Sequence, residues 1–174
     1  NVDFSYNSRY YDYIAITVPG IAVYQIENIS MALCALETLL TNEEMPSIET
    51  IQSVLKTTVW EGRMEEVLPD VFLDGAHNEN GIDAFLNSVE NAKAGKKTLL
   101  FAVVSDKDYK TMIHHIVKAD VFDEIVVTGL KNNRALKVQE ILRNFYECGR
   151  KEIVVIDDVE QAFESLCIKR EVGE

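Results

Sequence analysis

Leu99-Leu100-Phe101-Ala102-Val103-Val104, followed by Ser105-Asp106-Lys107-Asp108, is the stretch that decides the fold. Its first part is apolar at every position. An extended chain needs that only when both of its faces are covered, as in a parallel sheet lying under helices. The polar tetrapeptide then ends the strand, and Asp108 stands where a helix N-cap belongs. The same grammar repeats on either side. Short apolar runs at Val71–Leu73, 124–128 and 153–156 alternate with amphipathic segments at about 79–93, 108–118, 134–147 and 158–168. Asp158 is a second expected N-cap, and Gly149 is placed to end the third helix. Strand and helix in alternation from Val59 onward predict a doubly wound α/β domain with a mostly parallel sheet and right-handed crossovers.

The region before it has another rhythm. A polar, Tyr-rich start leads into Tyr11-Asp12-Tyr13-Ile14-Ala15-Ile16-Thr17-Val18, an alternating edge or hairpin strand stopped by Pro19-Gly20. Ile26, Ile29, Leu33, Leu36 and Leu40 recur on one face of a helix from about Gln25 to Leu40. Ser47 is set to cap a shorter helix carrying Ile48, Ile51, Val54 and Leu55. One strand and two helices are too little for an independent core. Residues 1–57 are therefore expected to be the tail of a larger domain, and 58–174 a domain of their own.

Composition narrows the function classes. The 174 residues are 47% hydrophobic and 26% charged, as a globular protein with a real core requires. A formal charge of −12 argues against a nucleic-acid surface, which needs clustered Lys and Arg. Small anionic ligands stay open, because a local field can oppose the net charge. No apolar run approaches the roughly 20 residues of a membrane helix. Cys34, Cys148 and Cys167 lack metal-ligand spacing, and their odd number fits a reducing, cytoplasmic setting better than a disulfide framework.

Parallel strands send their carboxyl ends to one edge, where ligands of such sheets collect. That edge is expected to gather Asp74 and His77, then Ser105, Asp106 and Lys107, then Thr128, Gly129 and Asp157. A carboxylate there can hold ribose hydroxyls, and Lys or Arg can pair with phosphate or carboxylate. Neither GxGxxG nor GxxxxGK[ST] occurs, so any nucleotide must take its phosphate cradle from elsewhere. Each residue also has a plainer reading. Asp74-Gly75 can be only a turn, Arg63 only a surface charge, and 105–108 only a polar loop with a cap. Cys34, Met31 and Met112 are expected in cores. His114 and His115 are adjacent on a helix, so their rings are expected to point apart.

Five strings together carry a family likeness. They are Gln25-x-x-Asn28 opening an Ala/Leu-rich helix, Trp60-x-Gly62-Arg63-Met64-Glu65, Leu73-Asp74-Gly75-Ala76-His77-Asn78, Asp106-Lys107-Asp108 after a strand, and Arg134-Ala135. In this order they resemble folylpolyglutamate synthase, in bacteria often bifunctional with dihydrofolate synthase, within the Mur ligase superfamily. The likeness runs from about Tyr24 to Ala135. It implies a Rossmann-like C-terminal domain over 58–174, its last strand missing, preceded in 1–57 by the remnant of a central P-loop ATPase domain and linker.

The resemblance also implies chemistry for a parent protein. ATP would phosphorylate a carboxylate of a reduced folate. The amine of L-glutamate would attack the acyl phosphate, and an amide would form as phosphate leaves. By position, Asn28 matches an asparagine at the adenine end of ATP, Arg63 an arginine reaching the phosphates, and Asp74 an aspartate binding the nucleotide. His77 would lie near the γ-phosphate and the glutamate, and Ser105 and Lys107 would meet glutamate carboxylates. Arg63 and His77 are thus the expected catalytic pair. Magnesium ligands would lie outside this chain, and the fragment alone would be inactive. The chain departs from the family in carrying Tyr24 where His is frequent and Glu61 where Pro is common. A muramoyl-peptide or cyanophycin-type ligase of the same superfamily is the alternative enzyme, and a non-catalytic nucleotide-binding module the alternative outside catalysis.

Overall fold

A computed structural model describes residues 1–93 and 95–171 of the chain. It divides into two compact units, Asn1–Gly75 with Asn87–Ala92, and Ala76–Leu86 with Lys93–Glu174. No helix among the described residues is long and apolar enough to cross a membrane.

The first unit opens on an antiparallel hairpin of β1 (Val2–Tyr6) and β2 (Ile14–Val18), in register from Val2↔Val18 to Tyr6↔Ile14. Helices α1 (Gln25–Leu39) and α2 (Ile48–Thr57) follow, the second capped by Ser47, whose hydroxyl accepts the Thr50 N–H. Ile14, Ile16 and Val18 point to one side of β2 and pack with Tyr11, Ile29, Leu33 and Ile51 into a buried cluster. The segment thus has one strand more than expected and a buried cluster of its own. The missed strand is β1, where Asp3 and Ser5 alternate with Val2, Phe4 and Tyr6, so two of its five residues face water and its apolar run is broken. Met31 and Cys34 lie on the exposed face of α1, contrary to the core position expected for both, whereas Met112 is buried.

The unit continues into a second hairpin, β3 (Glu65–Leu68) with β4 (Val71–Leu73). The pairing is antiparallel, with an irregularity between Glu66 and Leu68. Val71–Leu73 is therefore not a strand of the parallel sheet. Pro69 and Asp70, the latter at φ +59, fold the chain back on itself, and Leu73 is 54% exposed. The expectation rested on three apolar residues, too few for periodicity to distinguish a two-sided burial from a local hairpin.

Helix α3 (Glu79–Asn91) starts in the second unit, where the Asn78 side chain accepts the Gly81 N–H at 2.8 Å. A three-stranded parallel sheet forms the middle of this unit, in the order β5 (Thr98–Phe101), β6 (Glu124–Val127), β7 (Val154–Val155). Parallel pairing obliges a crossover between consecutive strands, and α4 (Tyr109–Ala119) and α5 (Val138–Glu147) supply them. Because strand order does not reverse, crossovers of one hand put both helices on the same face, where they touch. Ile113, Ile116, Val126, Val127, Ile141 and Phe145 are almost wholly buried, and Phe145 meets Phe101 edge to face at 5.7 Å. This mixed α/β architecture with a parallel sheet is the expected class. Helix α6 (Val159–Glu171) closes the described chain, with the Asp158 carboxylate accepting the Glu160 and Gln161 N–H groups.

Two local differences have physical causes. Residues 134–137, expected at the start of a helix, instead extend alongside the segment that follows β5. Ser105 N–H donates to the Arg134 carbonyl at 2.7 Å and Leu136 N–H to the Val103 carbonyl at 3.0 Å, an antiparallel contact centred on Val104↔Ala135. His114 and His115 meet edge to face with centroids 6.1 Å apart, rather than turning away from one another. His115 Nδ1 lies 2.5 Å from Asp83 Oδ1, so its ring is drawn to α3.

Candidate functional site

In the first unit, the string 60–65 folds into a tight loop. Arg63 N–H closes a turn on the Trp60 carbonyl, and the Gly62 N–H is held by the Glu65 carboxylate at 2.8 Å. Gly62 sits at φ +63, which glycine adopts freely. Met64 is also left-handed, at φ +47, although it carries a side chain. Such a residue persists only where its surroundings hold it. Here the Met64 side chain is 4% exposed, and its N–H donates to Asp74 Oδ2 at 2.9 Å. The same oxygen accepts the Tyr24 hydroxyl, also at 2.9 Å.

Asp74 is thus the fixed point between three segments: the end of β4, the 60–65 loop and the start of α1. Arg63 projects from the loop, exposed, with Nη1 donating to its neighbour's carbonyl at Gly62. Gly75 crosses beneath it. Gly75 N–H donates to the Gly62 carbonyl at 2.8 Å, and a Cβ at Gly75 would lie 2.9 Å from Arg63 Nη1. Tyr24 precedes α1 and makes no side-chain cap bond to it, and its hydroxyl donates to Asp74. Asn28 lies one helical turn along the same face, its N–H reaching the Tyr24 carbonyl at 3.4 Å and its amide donating to Gln25 Oε1 at 2.9 Å. Burial, then the hydrogen bond and negative charge of Asp74, push the Tyr24 phenol far above its ordinary value. The Arg63 guanidinium acts in the opposite direction. Of the residues singled out from sequence, Arg63 and Asp74 meet through the 60–65 loop, and Asn28 lies on α1 one turn beyond Tyr24. From sequence Tyr24 stands out only as a departure from the family and receives no role, because one tyrosine ahead of a helix carries no spacing signal.

The second unit holds His77, Ser105 and Lys107. His77 is exposed just ahead of α3. Ser105 and Lys107 lie in the loop leaving β5, where the Arg134 guanidinium pairs with Asp106 at 2.6 Å. That hydrogen bond holds the Asp106 carboxyl below the usual carboxylate range. Gly129 and Asp157 meet at the same end of the sheet, the Gly129 N–H donating to the Asp157 carbonyl at 3.1 Å. Lys131, in the loop leaving β6, reaches Asp158 and Glu160 at 3.2 and 3.0 Å. Among the described residues no group of His, Cys, Asp or Glu is arranged to hold a metal ion.

Residues 62–172 match the family described as Mur ligase, glutamate ligase domain. A dihydrofolate synthase/folylpolyglutamate synthase of Bacillus subtilis is 31% identical over 118 residues, 65% of this chain and 27% of that protein. A UDP-N-acetylmuramoyl-L-alanyl-D-glutamate–2,6-diaminopimelate ligase of Rickettsia bellii is 26% identical over 132 residues, 74% of this chain and 26% of that protein. A Mycobacterium tuberculosis folylpolyglutamate synthase, solved with ADP and AMPPCP, superposes with a TM-score of 0.75 over 90% of this chain and 36% of that one, at 22% identity. The chain spans about a quarter of the length of the curated relatives it matches.

Proposed function

The chain belongs to the Mur ligase family, in its glutamate ligase domain, and on that basis we propose that it is the C-terminal part of an ATP-dependent ligase that joins L-glutamate to a reduced folate. Residues 58–174 would be the glutamate ligase domain, and 1–57 the end of a preceding ATPase domain. The observation that carries this reading is the cluster on Asp74. A strained loop carries an arginine and is tied to a carboxylate, that carboxylate accepts Tyr24 one helical turn ahead of Asn28, and the relative at 31% identity is a dihydrofolate synthase/folylpolyglutamate synthase.

The donors suit a nucleotide. Arg63 supplies a planar cation for phosphate oxygens, and Asp74 a carboxylate for hydroxyl groups. Asn28 supplies an amide that can both donate and accept at a base edge. The notch left by the absent Cβ of Gly75 keeps the guanidinium close to the backbone. In the reaction, Arg63 would offset charge that builds up as a carboxylate approaches a triphosphate. His77, Ser105 and Lys107 are proposed to receive glutamate, the lysine pairing with a carboxylate and the serine donating a hydrogen bond. The described residues do not fit a resident magnesium site. The nucleotide's metal would be held by other parts of the protein, and this chain alone is expected to be inactive.

The longer alignment with the Rickettsia ligase favours a second reading, in which the acceptor is a muramoyl peptide. One experiment separates the two. The full-length protein is offered ATP with either tetrahydrofolate and labelled glutamate or a muramoyl-peptide precursor and labelled 2,6-diaminopimelate, with Arg63→Ala in parallel. Label entering the folate, and reduced about a hundredfold or more by Arg63→Ala, is the expected result. Transfer to the muramoyl peptide alone would replace the folate reading. Transfer to neither would remove both.

A further inference from the structure

The loop of the site proposed above has one residue whose backbone is held from outside the loop. Met64 is left-handed and buried, and its amide has the Asp74 carboxylate as acceptor. Asp74 in turn follows β4, the short half-exposed strand of a two-stranded hairpin, which is a weak anchor. Tyr24 is a firmer partner than the strand. It stands at the start of α1, a helix seated in the buried cluster through Ile29 and Leu33, and its hydroxyl reaches the same Asp74 oxygen that accepts the Met64 N–H. The segment ahead of it is secured as well, since Val23 N–H donates to the buried Ser88 hydroxyl at 3.1 Å.

From this geometry we infer that Tyr24 is a positioning residue: its hydroxyl sets the orientation of Asp74 and, through the Met64 amide, the conformation of the loop that presents Arg63. The phenol ring is half-buried and aimed by the helix, so its hydroxyl can serve as a rigid reference point where a flexible side chain could not. A charged acceptor shared by two donors is also a geometry in which losing one donor loosens the other. The inference concerns the site assigned to the nucleotide, and it rests on that reading for its effect on activity.

The test uses the full-length protein with Tyr24→Phe, which keeps the ring and removes the hydroxyl, and Tyr24→His, which returns an N–H donor. Two readouts are taken: KM for ATP against kcat, and hydrogen exchange at the Met64 amide. Tyr24→Phe is expected to raise KM for ATP about tenfold, the loss of one hydrogen bond to a charged group, with kcat changed less. Exchange at Met64 is expected to quicken, and Tyr24→His to recover most of both effects. In an Asp74→Asn background, Tyr24→Phe should add little, because its target is already altered. An active wild type whose KM and Met64 exchange ignore Tyr24→Phe would overturn the inference, as would full additivity with Asp74→Asn. A wild type that transfers no glutamate and binds no ATP would refute the functional reading instead. Met64 exchange would then decide the positioning role: faster in Tyr24→Phe supports it, and unchanged overturns it.

Discussion

Gly75 illustrates how little room the candidate site leaves. Its hydrogen sits where a methyl group would come within 2.9 Å of Arg63 Nη1 and 3.3 Å of the Gly62 carbonyl. The guanidinium is the end of a flexible side chain and can move away, whereas the carbonyl belongs to a loop pinned by Glu65 and Asp74. Gly75→Ala is therefore expected to displace Arg63 before it unfolds anything. In the full-length enzyme KM for ATP should rise roughly tenfold, since small misplacements of a binding group are expensive. The melting temperature should change little. A large drop in melting temperature with normal KM would mean that the glycine serves the backbone and not the arginine. Asp74 was legible in sequence because Asp-Gly-Ala-His-Asn is an unusual string. Tyr24 was not, because its importance lies in a hydrogen bond across 50 positions.

Helix α5 shows how an element can be written in its own residues. Val138, Ile141 and Phe145 are buried and line up at helical spacing. Its end is a Schellman motif, with Gly149 N–H on the Tyr146 carbonyl and Arg150 N–H on the Phe145 carbonyl, and Gly149 at φ +98. Nothing lies within 4 Å of a Cβ at Gly149, so Gly149→Ala tests the backbone alone. It should cost about 1 kcal/mol by urea denaturation, with an unchanged m-value. Phe145→Ala removes a ring packed edge to face on Phe101 and should cost about 3–5 kcal/mol in the same assay. Arg150 then ties the end of α5 to the loop before β6, donating to Asp120, Phe122 and Asp123. The sequence pattern reached the glycine and the apolar stripe but not that clamp, since an arginine beyond a helix has no preferred partner until the fold supplies one.

At the scale of the whole molecule, stability should fall at both ends of the pH range, for different reasons. The Arg134 hydrogen bond lowers the Asp106 carboxyl, and backbone hydrogen bonds from Gln161 with Lys131 lower that of Asp158. A carboxyl lowered in the folded state stabilises it above the unfolded value, near 4. That contribution is lost as pH falls through the folded value. Asp106 is exposed and Asp158 only partly buried, so the acid limb should be shallow. At high pH, burial and the Glu37 hydrogen bond push the Tyr6 phenol up to about 12, and burial raises Tyr11 and Tyr24. The unfolded phenols release protons near 10, so folding is progressively disfavoured from about pH 10 as pH climbs toward the folded values. Urea midpoints measured from pH 4 to 11 should show the alkaline decline. Tyr6→Phe should flatten it, and an unaltered decline in that variant would remove Tyr6 as a cause.

The sequence by itself determined what depends on neighbours along the chain. Strand and helix alternation after residue 97, the caps at Ser47, Asp108 and Asp158, and the turn at Gly149 follow from local geometry and side-chain chemistry. So did the presence of Arg63 and Asp74 in unusual strings. What only the tertiary structure decided depends on who pairs with whom. Val71–Leu73 joins an antiparallel hairpin because Pro69 and Asp70 fold Glu65–Leu68 back onto it. Residues 134–136 leave the helix because backbone groups near Val104 bond them. Tyr24 reaches Asp74 because a helix seated in its own core aims it there. Hydrogen-bond partners far apart in the chain leave no period and no spacing to read, and only folding brings them within reach.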